Sequence, residues 1–183
     1  MNVITIGAIE TSSIAQGVVA CDAMVKMADV ELLEATPLSP GKYWVLIAGD
    51  IAPVRAALER GAERAAETLL DSLFIPQLHE HVLPALRGIA QRGDDDALGI
   101  IETLSAAAAI ESADAAAKAA NITVRDIRLS NGIGGKGIVY ISGDLGNVQA
   151  ATEAGRMLVQ RKSMLLRAAV IPRLSPQLKG RML

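Results

Sequence analysis

The chain has 183 residues, of which 51% are hydrophobic, 2% aromatic and 21% charged, with a net charge of −2 at pH 7. This charge, and the lack of a basic stripe interleaved with aromatic residues, exclude nucleic acid as a partner. No apolar run reaches the ~18 residues of a membrane-spanning helix. The first residues lack the basic segment with which a signal peptide begins. The single cysteine, Cys21, allows no disulfide within the chain, which fits a reducing compartment. We therefore expect a soluble cytoplasmic protein without membrane contact.

The first half of the chain predicts alternating strands and helices. Apolar, β-branched runs indicate strands, and Thr11, Ser12 and Ser13 are candidate caps for the first helix. The predicted order is a strand over 3–9, a helix to about 28, strands over 30–35 and 43–48, a helix to about 70, a strand over 73–75 and a short helix over 80–86. Two prolines and a glycine within residues 37–41 are expected to end the second strand.

The second half predicts the same order of elements. Alanine-rich residues 106–120 favour a helix by propensity. The other predicted elements are strands over 97–103, 122–129, 137–142 and 165–171, and a helix over about 147–160. Each half therefore follows the order β-α-β-β-α-β, which is typical of a ferredoxin-like α+β domain.

Short motifs repeat between the two halves. Residues 7–11 (GAIET) return as 99–103 (GIIET), 92 positions later, and Ile75-Pro76 returns as Ile171-Pro172, 96 positions later. The repeat predicts a tandem duplication, with a first domain over 1–86, a linker over 87–96 and a second domain over 97–183. Two fused copies favour a pseudosymmetric ring, and the high apolar content calls for extensive subunit interfaces.

The sequence 132–137 (GIGGKG) has the spacing of a dinucleotide-binding loop. Such a site requires that the loop follow a strand and open a helix. Here residues 138–141 (IVYI) predict a strand instead, so the motif favours a tight loop whose glycines adopt positive φ.

Other polar residues have structural interpretations. The His79-Glu80-His81 motif has no further ligand cluster nearby and favours a surface helix start over a metal site. Glu10 and Glu102 occupy equivalent strand ends, where a hydrogen bond to a helix start is favoured over acid/base catalysis. Lys26 and Lys118 end their helices, where a cation stabilises the helix dipole. No metal and no cofactor are predicted.

Several motifs together resemble the bacterial microcompartment shell domain. They are residues 22–26 (DAMVK), 40–43 (PGKY), 49–54 (GDIAPV) and 171–173 (IPR), within a resemblance that covers about 3–86 and 97–181. Two such domains in tandem, without circular permutation, resemble the trimeric shell proteins of the propanediol-utilisation type. The resemblance implies a non-enzymatic shell protein whose three chains form a pseudohexameric disc with a central pore for small metabolites. Discs of this kind tile, with other shell proteins, into the facets of a microcompartment.

The resemblance also assigns residues to the pore and to the disc edge. The loop between the second and third strands of each copy lines the pore, which gives Leu38, Ser39, Pro40, Ser130, Asn131, Gly132, Ile133 and Gly134. The edge lysine corresponds to Lys26 and Lys118. The edge arginine corresponds to Arg173, and the first copy departs from the pattern with Gln77 at that position.

Ser39 is a second departure. The resembled trimer carries a cysteine just before its Pro-Gly-Lys motif, and three such cysteines hold an iron–sulfur cluster on the threefold axis. A serine hydroxyl is a poor ligand for this iron compared with a thiolate. The implied role therefore shifts from electron relay to a polar pore.

Two other functions stay open at this point. The first is a trimeric, ferredoxin-like regulatory protein that binds a small ligand between subunits. The second is an enzyme that uses Glu10 or Glu102, which would need a concave site with convergent polar groups.

Overall fold

The computed structural model of the chain describes residues 4–89 and 97–182. The first half contains β1 (Thr5–Thr11), α1 (Ile14–Met27), β2 (Glu31–Leu38), β3 (Lys42–Gly49), α2 (Ile51–Ala65), a 3-10 turn (Ala66–Thr68) and β4 (Leu69–Ile75). Then follow α3 (Val82–Leu86), β5 (Ala97–Thr103), α4 (Ala106–Ala119), β6 (Thr123–Leu129), β7 (Gly137–Gly143), α5 (Leu145–Arg161), β8 (Leu165–Ile171) and α6 (Pro176–Met182). The two tandem β-α-β-β-α-β domains predicted from the sequence are confirmed.

Each half forms one four-stranded antiparallel sheet. The strand orders are β2-β3-β1-β4 and β6-β7-β5-β8, which is the ferredoxin-like arrangement. The central strands β1 and β3 are buried almost throughout, and their apolar side chains form the core with those of α1 and α2. Among the described residues, no helix is both long and apolar enough to cross a membrane.

The described chain divides into two compact units. The first unit contains the residues up to Leu78 together with the loop Ser130–Gly135, and the second contains His79–Leu129 and the residues from Lys136 onward. The short helix α3 therefore packs in the second unit, although it follows the first sheet in sequence. The predicted domain limits, 1–86 and 97–183, stay a prediction, and most of the predicted linker over 87–96 lies outside the described residues.

Serine caps begin the first helix of each half. Ser13 accepts a hydrogen bond from the Gln16 N–H through its side chain at 3.3 Å, and Ser105 accepts one from the Ala108 N–H at 3.0 Å. Each satisfies a backbone donor that the first helical turn leaves without a partner. Of the three candidate caps at residues 11–13, Ser13 is the one that acts.

Two predicted boundaries are wrong. Strand β2 continues through Pro37, which lies opposite Tyr43, because β2 is an edge strand and the missing proline N–H has no ladder partner to lose. Helix α2 ends at Ala65 instead of about residue 70, because residues from Leu69 onward pair with β1. The helix α6 was not predicted from the sequence.

Glycines let the two long helices of each unit approach closely. A Cβ atom added at Gly61 would lie 2.5 Å from the Met24 side chain, and one added at Gly155 would lie 2.6 Å from the Ser112 backbone oxygen. The two positions are equivalent in the repeat, but the neighbour is a flexible thioether in the first unit and rigid backbone in the second. The backbones of α4 and α5 therefore approach each other directly at Gly155, whereas α1 and α2 meet at Gly61 through a side chain.

We expect Gly155→Ala to destabilise the protein by about 1–3 kcal/mol, because the backbone of α4 must shift to admit the methyl group. Gly61→Ala is the matched control. There the Met24 side chain can move aside, and the gain in helix propensity of up to about 1 kcal/mol offsets the cost. Thermal unfolding of both variants at one protein concentration checks this expectation, which equal melting temperatures for the two variants would contradict.

Candidate functional site

The two loops assigned to the pore meet within the first unit. Ser39 donates its backbone N–H to the Asn131 side-chain oxygen at 3.3 Å. At Gly135 the backbone has φ of +83°, and an added Cβ atom would lie 3.0 Å from the Pro40 ring. A side chain is therefore disfavoured at this position both by the backbone conformation and by the close approach of the two loops.

A lysine joins the two loops to the first sheet. Lys42, the first residue of β3, donates through Nζ to Glu10 Oε1 at 2.7 Å and to the Gly135 carbonyl oxygen at 3.2 Å. The Glu10 side chain is fully buried and the Lys42 side chain is 18% exposed. Because a buried carboxylate without a counter-charge is strongly unfavourable, this ion pair fixes the start of β3 and, through Gly135, the second loop.

The equivalent pair in the second unit is looser. Lys136 Nζ lies 2.9 Å from Glu102 Oε1, with the side chains 42% and 28% exposed. Glu10 and Glu102 each pair with a lysine at or just before the start of the neighbouring strand. The expected hydrogen bond between these carboxylates and a helix start stays a prediction. The repeat shows in the sequence that the Gly-Lys motif and the glutamate recur in both halves. It does not predict that the lysine and glutamate side chains pair across the sheet.

The residues assigned to the pore differ in exposure. Leu38 and Ser130 are buried within the chain, and Ile133 is half-buried. The exposed members are Ser39, Pro40, Asn131, Gly132 and Gly134. A polar surface of hydroxyl, amide and backbone groups results, without a formal charge.

Ser39 does not supply a cluster ligand. Its exposed hydroxyl occupies the position where the resembled trimeric type has its cysteine, and a hydroxyl lacks the thiolate that iron–sulfur iron requires. Cys21 is buried, and burial raises the pKa of its thiol, which favours the neutral form. The described part of the chain contains no group of three or more histidine, cysteine or acidic residues placed to hold a metal ion. These residues do not fit an iron–sulfur cluster.

The residues assigned to the disc edge lie on exposed surface. Lys26 pairs with Asp22 at 2.7 Å and Lys118 with Asp114 at 2.6 Å, one helical turn apart in each case. Lys26 and Asp22 line an open groove of about 450 Å³ together with Arg60 and Arg64. Arg173 is exposed after β8.

The His79-Glu80-His81 segment has a packing role. The His79 backbone N–H donates to Asp114 Oδ1 at 2.8 Å, and the His81 N–H donates to His79 Nδ1 at 3.3 Å. Burial lowers the pKa of His79, which keeps the ring neutral and able to accept this hydrogen bond. Sequence analysis did not predict the contact with Asp114.

Comparison with known proteins identifies the family. A family model described as the BMC domain matches residues 5–78 and again residues 97–174. The bacterial microcompartment shell protein PduT of Citrobacter freundii is 40% identical over 168 residues, which cover 92% of this chain and 91% of that protein. The chain belongs to the BMC-domain family of bacterial microcompartment shell proteins.

Two further BMC-domain relatives agree with this assignment. The crystal structure of a microcompartment protein from Desulfitobacterium hafniense is 43% identical and superposes with a TM-score of 0.86 over 97% of this chain and 99% of that chain. The carboxysome assembly protein CcmO of Synechococcus elongatus is 32% identical over 180 residues, and the match covers 92% of this chain and 64% of that protein. The resemblance drawn from the sequence motifs is thus confirmed for both halves of this BMC-domain protein.

The two Glu–Lys pairs should differ in their contribution to stability. We expect Lys42→Met to lower the free energy of unfolding by about 3 kcal/mol, because it removes the counter-charge of a buried carboxylate. Lys136→Met should cost at most about 1 kcal/mol, because both partners there retain contact with solvent. Chemical denaturation of the two variants at neutral pH measures the difference. A cost for Lys136→Met as large as that for Lys42→Met would refute the distinction.

Proposed function

We propose that three copies of this chain form a pseudohexameric disc that tiles into the facets of a microcompartment shell and conducts small metabolites through a central pore. The chain is a structural shell protein, and the proposal adds its trimeric state, its pore and its edge contacts. One observation carries it: the BMC domain occurs twice in one chain. Three chains then supply six domains, which is the number that closes a sixfold ring.

The proposed role requires no chemistry by the chain itself. Glu10 and Glu102 are engaged by lysines, which supports a structural role for both carboxylates. A regulatory protein that binds a ligand between subunits has no specific observation in its favour among the described residues. We therefore propose a non-enzymatic shell protein.

The proposed pore surface is polar and uncharged. Ser39 and Asn131 are exposed at the loops that Lys42 holds together. Hydroxyl, amide and backbone groups replace part of the hydration shell of a passing solute without binding one sign of charge. Small polar metabolites are therefore expected to pass more readily than large ones.

The trimer is the first expectation to test. Three chains of 19.1 kDa give an assembly of about 57 kDa, which light scattering at micromolar concentration measures directly. Electron microscopy of the same sample should show flat arrays, because discs tile edge to edge. A stable monomer or dimer would overturn the disc.

Charge reversal at the edge should separate tiling from trimer formation. An exposed ion pair such as Lys26 with Asp22 contributes only about 0–1 kcal/mol to folding, but an edge contact repeats around every disc, so small losses multiply across a lattice. We expect Lys26→Asp to retain the trimer and its melting temperature while abolishing the arrays. Arg156→Asp, in an exposed pair on α5, is the control that should keep the arrays. Loss of the trimer in Lys26→Asp would assign Lys26 a structural role instead.

Substitution at Ser39 tests the pore assignment. The wild-type protein should stay colourless after anaerobic incubation with iron and sulfide. Ser39→Cys should bring three thiols together on the axis and load a cluster that absorbs in the visible range, because thiolates are the ligands it requires. Ser163→Cys, at an exposed serine outside the loop, should stay colourless. Cluster uptake by the wild type, or a colourless Ser39→Cys trimer, would contradict the assignment of Ser39 to the axis of the trimer.

A further inference from the structure

One face of the first unit is apolar and exposed, although the equivalent face of the second unit is buried. The face lies along α1 and on the edge strand β2. Four of its residues are 39–48% exposed, and their counterparts 92 positions later are 0–7% exposed. The pairs are Ile14 with Ala106, Val18 with Ile110, Val25 with Ala117, and Leu32 with Val124.

Residues 79–86 cover this face in the second unit. Helix α3 packs against α4 and β6, and Val82 is fully buried there. The His79 backbone N–H donates to Asp114 Oδ1 at 2.8 Å, which leaves the Asp114 side chain 10% exposed. The corresponding Asp22 side chain is 58% exposed.

Helix α6 is the counterpart of α3 in the repeat. The Val82 N–H donates to the His79 carbonyl oxygen at 3.0 Å, and 96 positions later the Leu178 N–H donates to the Ser175 carbonyl oxygen at 2.9 Å. The two segments therefore begin with the same turn. Yet Leu178 is 41% exposed where Val82 is fully buried. The second copy thus carries a covering segment whose apolar side chain lacks a burial site.

The charges of this segment and of the exposed face are complementary. On the face, the exposed Asp29 and Glu31 stand where the second unit has the neutral Asn121 and Thr123. On the segment, the exposed Lys179 stands where the first copy has Leu83. The uncovered face thus carries acids and the uncovered segment carries a base, whereas the equivalent residues of the contact already made in the second unit are neutral.

We propose that residues 175–182 of one chain pack on α1 and β2 of a second copy of this chain, as residues 79–86 pack on α4 and β6. Leu178 then enters the place that Val82 occupies in the second unit. The Ser175 N–H donates to Asp22 Oδ1, as the His79 N–H donates to Asp114 Oδ1. The contact joins two different surfaces, so it is heterologous, and a heterologous contact closes into a ring when its successive rotations add up to a full turn, as the proposed trimer requires. It rests on the proposed trimer and names the surfaces that hold it together.

Substitution of Leu178 tests the contact in the full-length protein. We expect Leu178→Asp to raise the concentration at which trimers half-dissociate by more than about tenfold, because a charge replaces a buried apolar anchor. The helical circular dichroism should not change, because Leu178 is exposed within its own chain. Leu145→Asp, at a leucine of similar exposure, should leave the trimer intact. Analytical ultracentrifugation over a concentration series measures both.

A charge exchange provides an independent readout. Reversing the face with Asp29→Lys and Glu31→Lys, or the segment with Lys179→Glu, should each weaken the trimer by about threefold or more. The protein with all three substitutions should associate more tightly than either reversed protein. Restoration supports the contact, because separate structural damage at the two surfaces would add up instead of cancelling.

The outcomes separate this contact from the trimer itself. A wild-type protein that is monomeric would overturn the proposed disc and this contact with it. A wild-type trimer that survives Leu178→Asp, or that Leu145→Asp dissociates equally, would overturn the contact and leave the disc. At a dilution where the wild type and Leu178→Asp are both monomeric, the two should melt at the same temperature. A lower melting temperature for the Leu178→Asp monomer would assign α6 to its own chain and overturn the contact.

Discussion

The Lys42 ammonium group lies between the Glu10 carboxylate and the Gly135 carbonyl oxygen, and the arrangement of the first unit depends on it. Glu10 has no access to solvent, so its charge must be neutralised inside the protein. The lysine that neutralises it also reaches a loop that is distant in sequence. One ion pair therefore stabilises the sheet and places the loops that we assign to the pore next to each other.

The two copies of the domain have kept one fold and diverged in what covers them. In the second unit, α3 packs on α4 and β6, and the small side chains of α4 are buried. In the first unit, α1 and β2 keep Val18 and Leu32 exposed, whereas their counterparts Ile110 and Val124 are buried. Within the described chain, a segment covers the apolar face of the second copy but not that of the first. Such a chain is suited to assembly with further copies. We attribute the high apolar content of the chain to the proposed assembly.

The loops show how a shell protein changes its chemistry without changing its fold. The Glu–Lys pair and the close approach of Gly135 to Pro40 are backbone and charge constraints, and neither involves the side chain of Ser39. The residue at position 39 is therefore free to vary between a thiol and a hydroxyl while the loops keep their positions. We therefore propose that the exposed loop residues set the chemistry of the pore while the scaffold stays the same.

The sequence by itself determined the duplication, the order of elements in each half and the family. Repeated motifs such as 7–11 and 99–103 are visible without coordinates, and alternating apolar patterns report local structure directly. The tertiary structure alone decided the pairing of Glu10 with Lys42 and the placement of α3 against α4, because both join residues far apart in the chain. It also decided that Pro37 stays within β2, since only the position of that strand at the sheet edge makes a missing N–H harmless.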